Sequence, residues 1–169
     1  MATKSQTKSE ILVENLLALL TGENARTPFE EVVADFPMDR INDHLPNADY
    51  TPWHLLEHIR YAQADILDYI RNRSYLAPTW PDNYWPARDA QATPDDLAAT
   101  VEAFGRDRAA LREVVTDPAV DLFAVIPGTP GHTILREIRV VSAHNAYHLG
   151  EFAILRQVMG TWPADREDR

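Results

Sequence analysis

Apolar residues in this chain recur three and four positions apart in four separate stretches, the pattern of helices that bury one face. A strand needs alternation at two. The run LFAVI at 122–126 is the only short β-like segment, and a single strand has nothing to pair with. The chain is therefore confined to helices packed on helices.

Punctuation around these stretches sets their limits. The first helix runs from about Ser9, a candidate cap, to Leu20, with Ile11, Leu12, Leu16, Leu19 and Leu20 as its stripe and Gly22 as its stop. In TPFEEVVADFP, Thr27 and Glu30 have capping-box spacing and Pro28 suits a first helical position. A short accessory helix ended by Pro37 is expected there. The second main helix opens at Thr51-Pro52 and runs to about Arg73. The loop SYLAPTWPDNYWPARDAQA is too rich in proline for a helix. The third runs from Thr93-Pro94 to about Thr116, and the last from about Thr133 to Gly160. The acidic pairs Glu30/Glu31 and Asp95/Asp96 read as helix-start charges favoured by the dipole, not as catalytic dyads. Four main helices with long connections point to an all-α four-helix bundle, a fold that builds ligand and metal sites between facing helices.

Composition narrows the function. With 169 residues, 45% of them hydrophobic, the chain suits one globular domain over 1–169. There is no cysteine, which removes disulfides, thiolate metal sites and a cysteine nucleophile together. It also fits a reducing, cytoplasmic location. The net charge of -10 repels phosphate backbones and anionic lipid surfaces, so neither nucleic acid nor membrane is an expected partner. No apolar run reaches a membrane span, and the start MATKSQTKSEILVENLLALL reads as a first helix, not a signal peptide.

The chemistry sits in VVSAHNAYHLGEF, residues 140–152. His144 and His148 lie one turn apart on a stripe with Val141, Glu151 and Leu155, beside the core positions Ile138, Asn145, Leu149 and Phe152. Imidazoles at i, i+4 can grip one divalent metal together. His58 shares the inner stripe of the second helix with Leu55, Ala62 and Ile66 and is the candidate third ligand. His54, one turn earlier, is expected to reach water. A lone histidine on an apolar stripe is more often a hydrogen-bonded core residue, and spacing alone does not make three of them converge.

The succession of PWHLLEH, a W-P-x-x-Y-W-P loop and HNAYHLGE, closed by MGTWP, resembles the DinB-like superfamily, also called DinB/YfiT-like, over nearly the whole chain. That resemblance implies a four-helix bundle in up-up-down-down order with a long crossover. It implies a divalent metal held by His58, His144 and His148, and a homodimer. It also implies a metal-dependent reaction with a low-molecular-weight thiol and a small-molecule substrate. At Glu151 the chain departs from the family, which commonly carries Gln there. A carboxylate ligand, a general base acting through water, and a partner behind a ligand are the open roles for Glu151.

Three neutral imidazoles leave a metal position open, the mark of a catalytic site. Water as nucleophile gives a hydrolase-like enzyme; an added thiol gives an S-transferase-like one. The alternative is a non-enzymatic small-molecule-binding or stress-response bundle whose metal is structural or whose histidines are vestigial. Imidazoles accept zinc, nickel, iron, copper and cobalt alike, and the expected ion is zinc, nickel or iron. Trp53, Tyr61, Trp80, Trp85 and Tyr147 are candidate walls of a cavity, though such aromatics usually pin loops to helices.

Overall fold

The structure, a computed structural model, describes residues 6–23, 27–45 and 47–164. The remainder of the expected 1–169 domain lies outside the described residues. Among the described residues five α-helices follow in order: α1 Lys8–Thr21, α2 Phe29–Val33, α3 Pro52–Arg71, α4 Pro94–Thr116 and α5 Ile134–Met159, with a 3-10 turn at Met38–Arg40 between α2 and α3.

The three threonine starts act as read. Thr51, Thr93 and Thr133 each accept a hydrogen bond from the backbone N–H three residues on, at 3.2 Å. Asp96 closes a reciprocal box on Thr93, and those hydrogen bonds hold its carboxyl below the ordinary value. Gly22 and Gly160 stop α1 and α5 at φ 84° and 64°, backbone that glycine adopts freely.

Two starts differ from expectation. Thr7, not Ser9, caps α1. Its hydroxyl accepts from the Glu10 N–H while the Glu10 carboxylate accepts from the Thr7 N–H at 2.7 Å. A Thr-x-x-Glu pair satisfies two orphan donors where Ser9 would satisfy one. In α2 the Thr27–Glu30 box does not form. Pro28 occupies the cap position and has no side-chain acceptor to offer. That helix stops at Val33, before Pro37, and Asp35 turns the chain at φ 52°. The run 122–126 makes one antiparallel bridge, Val125 with Thr133, and among the described residues no longer strand forms.

Around the bundle, α3 packs on α4 and α5, and α1 packs on the same two helices from the other side. The contacts between helices give their directions. Glu57–Thr100, Gln63–Phe104 and Arg71–Ala110 climb together, so α3 and α4 run parallel. His58–His148, Gln63–Asn145 and Tyr69–His132 run in opposite senses, so α3 and α5 are antiparallel. This corrects the expected up-up-down-down order, in which the second and third long helices oppose one another. A parallel pair requires its connection to travel back the length of the bundle, and the Pro/Trp-rich segment 72–93 is that crossover.

Two apolar clusters fill the interior. One gathers Phe29, Ile41, Leu55, Ile59, Phe104 and Phe152; the other gathers Leu16, Leu20, Leu111, Val115, Ile138 and Val141. A buried polar layer lies between α3, α4 and α5. Asn145 donates to Gln63 at 2.9 Å, and Gln63 donates to the Phe104 carbonyl at 2.8 Å. The histidines stand beside this layer, so their imidazoles enter the bundle where it already tolerates polar groups.

Candidate metal centre

His58 is buried on α3, and His144 and His148 are partly buried on α5. Antiparallel packing brings the three rings together. His58 Nε2 is 3.2 Å from His144 Nε2 and 3.3 Å from His148 Nε2. They form the one group of three or more such side chains, among the described residues, whose ligand atoms are close enough to hold a metal. Tetrahedral bonds of about 2.0–2.1 Å separate ligand atoms by about 3.3–3.4 Å, so the spacing fits a single ion.

The outer ring nitrogens show which way the lone pairs face. His58 Nδ1 is 2.9 Å from the Tyr84 carbonyl oxygen, and His148 Nδ1 is 2.7 Å from Glu151 Oε2. A carbonyl and a carboxylate only accept, so Nδ1 of each ring carries a hydrogen. With the hydrogens on Nδ1, the two Nε2 atoms are the positions left to ligate, and they face one another. A single hydrogen shared among three Nε2 atoms links only two of them, whereas one cation can accept an electron pair from all three. Burial, reinforced by His148, pushes the His58 imidazolium down. Burial, then His148 and His58, push His144 down to about 4. Both rings are thus neutral electron-pair donors at neutral pH.

The crossover supplies the surroundings of His58. Trp85 stacks flat on its ring, 4.0 Å between centroids at 4°. Asp65 of α3 accepts from the Tyr75 hydroxyl at 2.7 Å and from the Tyr84 hydroxyl at 2.6 Å. That clamp holds the loop which presents the Tyr84 carbonyl to His58. Burial and the Asp65 bond push the Tyr84 phenol up to about 12, so it stays a donor.

Other residues singled out in the sequence separate here. Trp80 lies edge-on to His58 at 6.3 Å, and Tyr147 meets His148 edge-on at 4.7 Å while largely exposed. Trp53 instead donates to Thr100 at 3.2 Å, and Tyr61 lies under the Arg60 guanidinium, so both pack along α3 and α4. His54 does not reach water. It is 2% exposed, and its Nε2 lies 2.8 Å from the Ala90 carbonyl, because the returning crossover covers the first turn of α3. Glu30 pairs with Arg108, and Asp95 and Asp96 lie in the first turn of α4 away from the histidines.

Tyr50 is the residue that sequence reasoning missed. It precedes α3, outside any periodic stretch, and its hydroxyl donates to Glu151 Oε1. Burial and that carboxylate push the phenol up to about 12. Beside it lies a cavity of about 550 Å³ lined by Tyr50, His54, Trp85, Pro81, Pro86 and Arg88. His58, His144 and His148 do not line this cavity; its walls Tyr50 and Trp85 touch Glu151 and His58 respectively.

A family model described as the DinB superfamily matches residues 21–152, well over half of the chain. No curated protein and no solved structure matches. The chain belongs to the DinB superfamily.

Proposed function

We propose that this DinB-superfamily protein is a divalent-metal-dependent enzyme in which His58, His144 and His148 hold the ion. Its reaction is S-transferase-like with a low-molecular-weight thiol, or hydrolase-like with water. The observation that carries this reading is the convergence of three Nε2 atoms, with that of His58 3.2 and 3.3 Å from those of His144 and His148. Three protein ligands leave room for a further one, unlike a closed structural site. When bound, a divalent ion there lowers the proton affinity of a water or thiol at neutral pH and acts as a Lewis acid.

The surrounding residues orient and shelter. Tyr84 and Glu151 fix the tautomers of His58 and His148, so no ring must flip before it can ligate. Trp85 covers one face of His58 and limits water on that side. The neighbouring cavity, with Trp85, Tyr50 and two prolines as apolar walls and Arg88, Asp49 and Asp82 as its charged groups, has the size and composition of a small-molecule site. The thiol comes from outside, since the chain has no cysteine.

The test is a turnover screen of the protein loaded with zinc, nickel or iron. One arm pairs low-molecular-weight thiols with electrophiles, and the other uses hydrolysable esters. The expected result is turnover that disappears on chelation and in His58→Ala. Turnover that survives both treatments would overturn the reading, as would metal-loaded protein inert in both arms.

A further inference from the structure

Both oxygens of the Glu151 carboxylate are engaged, and Glu151 is not among the side chains whose ligand atoms lie close enough to share a metal. Oε2 takes the Nδ1 hydrogen of His148 at 2.7 Å, and Oε1 takes the Tyr50 hydroxyl. An oxygen used behind the ring is not free to ligate or to act as a base in front of it. Of the three roles open to Glu151, this geometry is that of the partner behind a ligand.

The three histidines are also backed unequally. His148 has an anionic acceptor and His58 a neutral carbonyl, and among the described residues the buried Nδ1 of His144 has neither. An imidazole that donates to a carboxylate is held in one orientation and gives up electron density more readily than one that donates to an amide. Tyr50, 101 positions away in sequence, donates to the other oxygen of the same carboxylate. It keeps the Glu151 side chain from turning toward solvent, to which about a third of it is open.

Resting on the metal reading above, we propose that Glu151 and Tyr50 are a positioning pair. Glu151 makes His148 the strongest of the three ligands, and Tyr50 acts only by holding Glu151.

The experiment measures Zn²⁺ affinity by competition with a chromophoric chelator. It also records the Co²⁺ absorption spectrum and the melting temperature of the metal-free protein. The variants are Glu151→Gln, Tyr50→Phe and the double substitution. Gln keeps the size of the side chain and its one carbonyl oxygen can still accept from Nδ1, while its amide N–H turns a donor toward Tyr50, whose hydroxyl oxygen can accept, so the fold is retained while the charge and one acceptor are lost. Glu151→Gln is expected to weaken Zn²⁺ binding about 10–100-fold and to shift the Co²⁺ bands. Tyr50→Phe is expected to weaken it about 2–10-fold, the worth of one hydrogen bond. The double variant is expected to bind like Glu151→Gln alone, because Tyr50 has no route to the metal except through that carboxylate.

Single variants that bind Zn²⁺ within about twofold of the parent, with unchanged Co²⁺ bands, would overturn the proposal. So would losses that add in the double variant, or a lowered metal-free melting temperature with affinity intact. A parent protein that binds neither ion would sink the metal reading itself, a failure distinct from one confined to the variants.

Discussion

Stripped of metal, the cluster should make the protein sensitive to mild acid. His144 is pushed from 6.5 to about 4 by burial and then by its neighbours His148 and His58. The unfolded chain takes up this proton near pH 6.5 and the folded chain does not. Unfolding therefore binds a proton between those values, and stability falls as pH falls. The contribution is complete above pH 6.5 and is lost progressively toward pH 4. A tenfold difference in proton affinity between the folded and unfolded chain is worth about 1.4 kcal/mol, so a drop from pH 7 to pH 5 costs up to about 2 kcal/mol from this one ring. In a domain of this size that is about 4–8 °C of melting temperature. The assay is thermal or urea unfolding of metal-free protein across pH 7 to 5, beside His144→Asn, which cannot titrate. Carboxylates contribute equally to both proteins, so the difference isolates the imidazole. The parent should lose about 2 kcal/mol more than the variant over that interval. Parallel losses would refute the claim that the ring is buried against two other imidazoles.

Two further predictions concern what holds the site's frame. Burial alone would raise the Glu57 carboxyl, but the Arg60 ion pair and the Thr100 hydroxyl outweigh it and hold it below the ordinary value. Arg60→Met strands that carboxylate at 5% exposure and should cost about 3–5 kcal/mol in urea unfolding at pH 7, less at pH 4 where it can protonate. Arg156, fully buried on α5, donates to the carbonyls of Val32 at 2.9 Å, Ala34 at 2.7 Å and Thr161 at 2.6 Å. Arg156→Met should cost about 3 kcal/mol or more and raise amide exchange selectively across residues 29–36; uniform exchange would contradict the tie between α5 and α2.

Local rules carried the sequence reading where the physics is local. The threonine caps, Gly22 and Gly160 act through neighbours a few residues away, so α3, α4 and α5 lie within two residues of expectation. The apolar stripe likewise located His58, His144 and His148, since helical spacing decides which side chains share a face. What was not legible depends on segments distant in the chain. The crossover buries His54 from 36 positions away, and no periodicity reports that. The same crossover lets α3 and α4 run parallel, which loop composition alone does not disclose. Tyr50 lies outside every helix and meets Glu151 only after folding. Its one sequence signal is a tyrosine directly preceding a Thr-Pro helix start. The Ser9 reading failed for a local reason, in that the reciprocal Thr7–Glu10 box outcompeted a single hydroxyl. No helix among the described residues is long and apolar enough to cross a membrane.

The most direct test of the central claim is elemental analysis by inductively coupled plasma mass spectrometry. It should be run on untagged protein as purified and after reconstitution with zinc, nickel and iron, together with His58→Ala and His144→Ala. The account predicts about one equivalent of a divalent transition metal in the parent and its loss in both variants, because each removes one of three converging nitrogens. A parent that takes up no metal under any of these conditions, or variants that retain it fully, would contradict the claim.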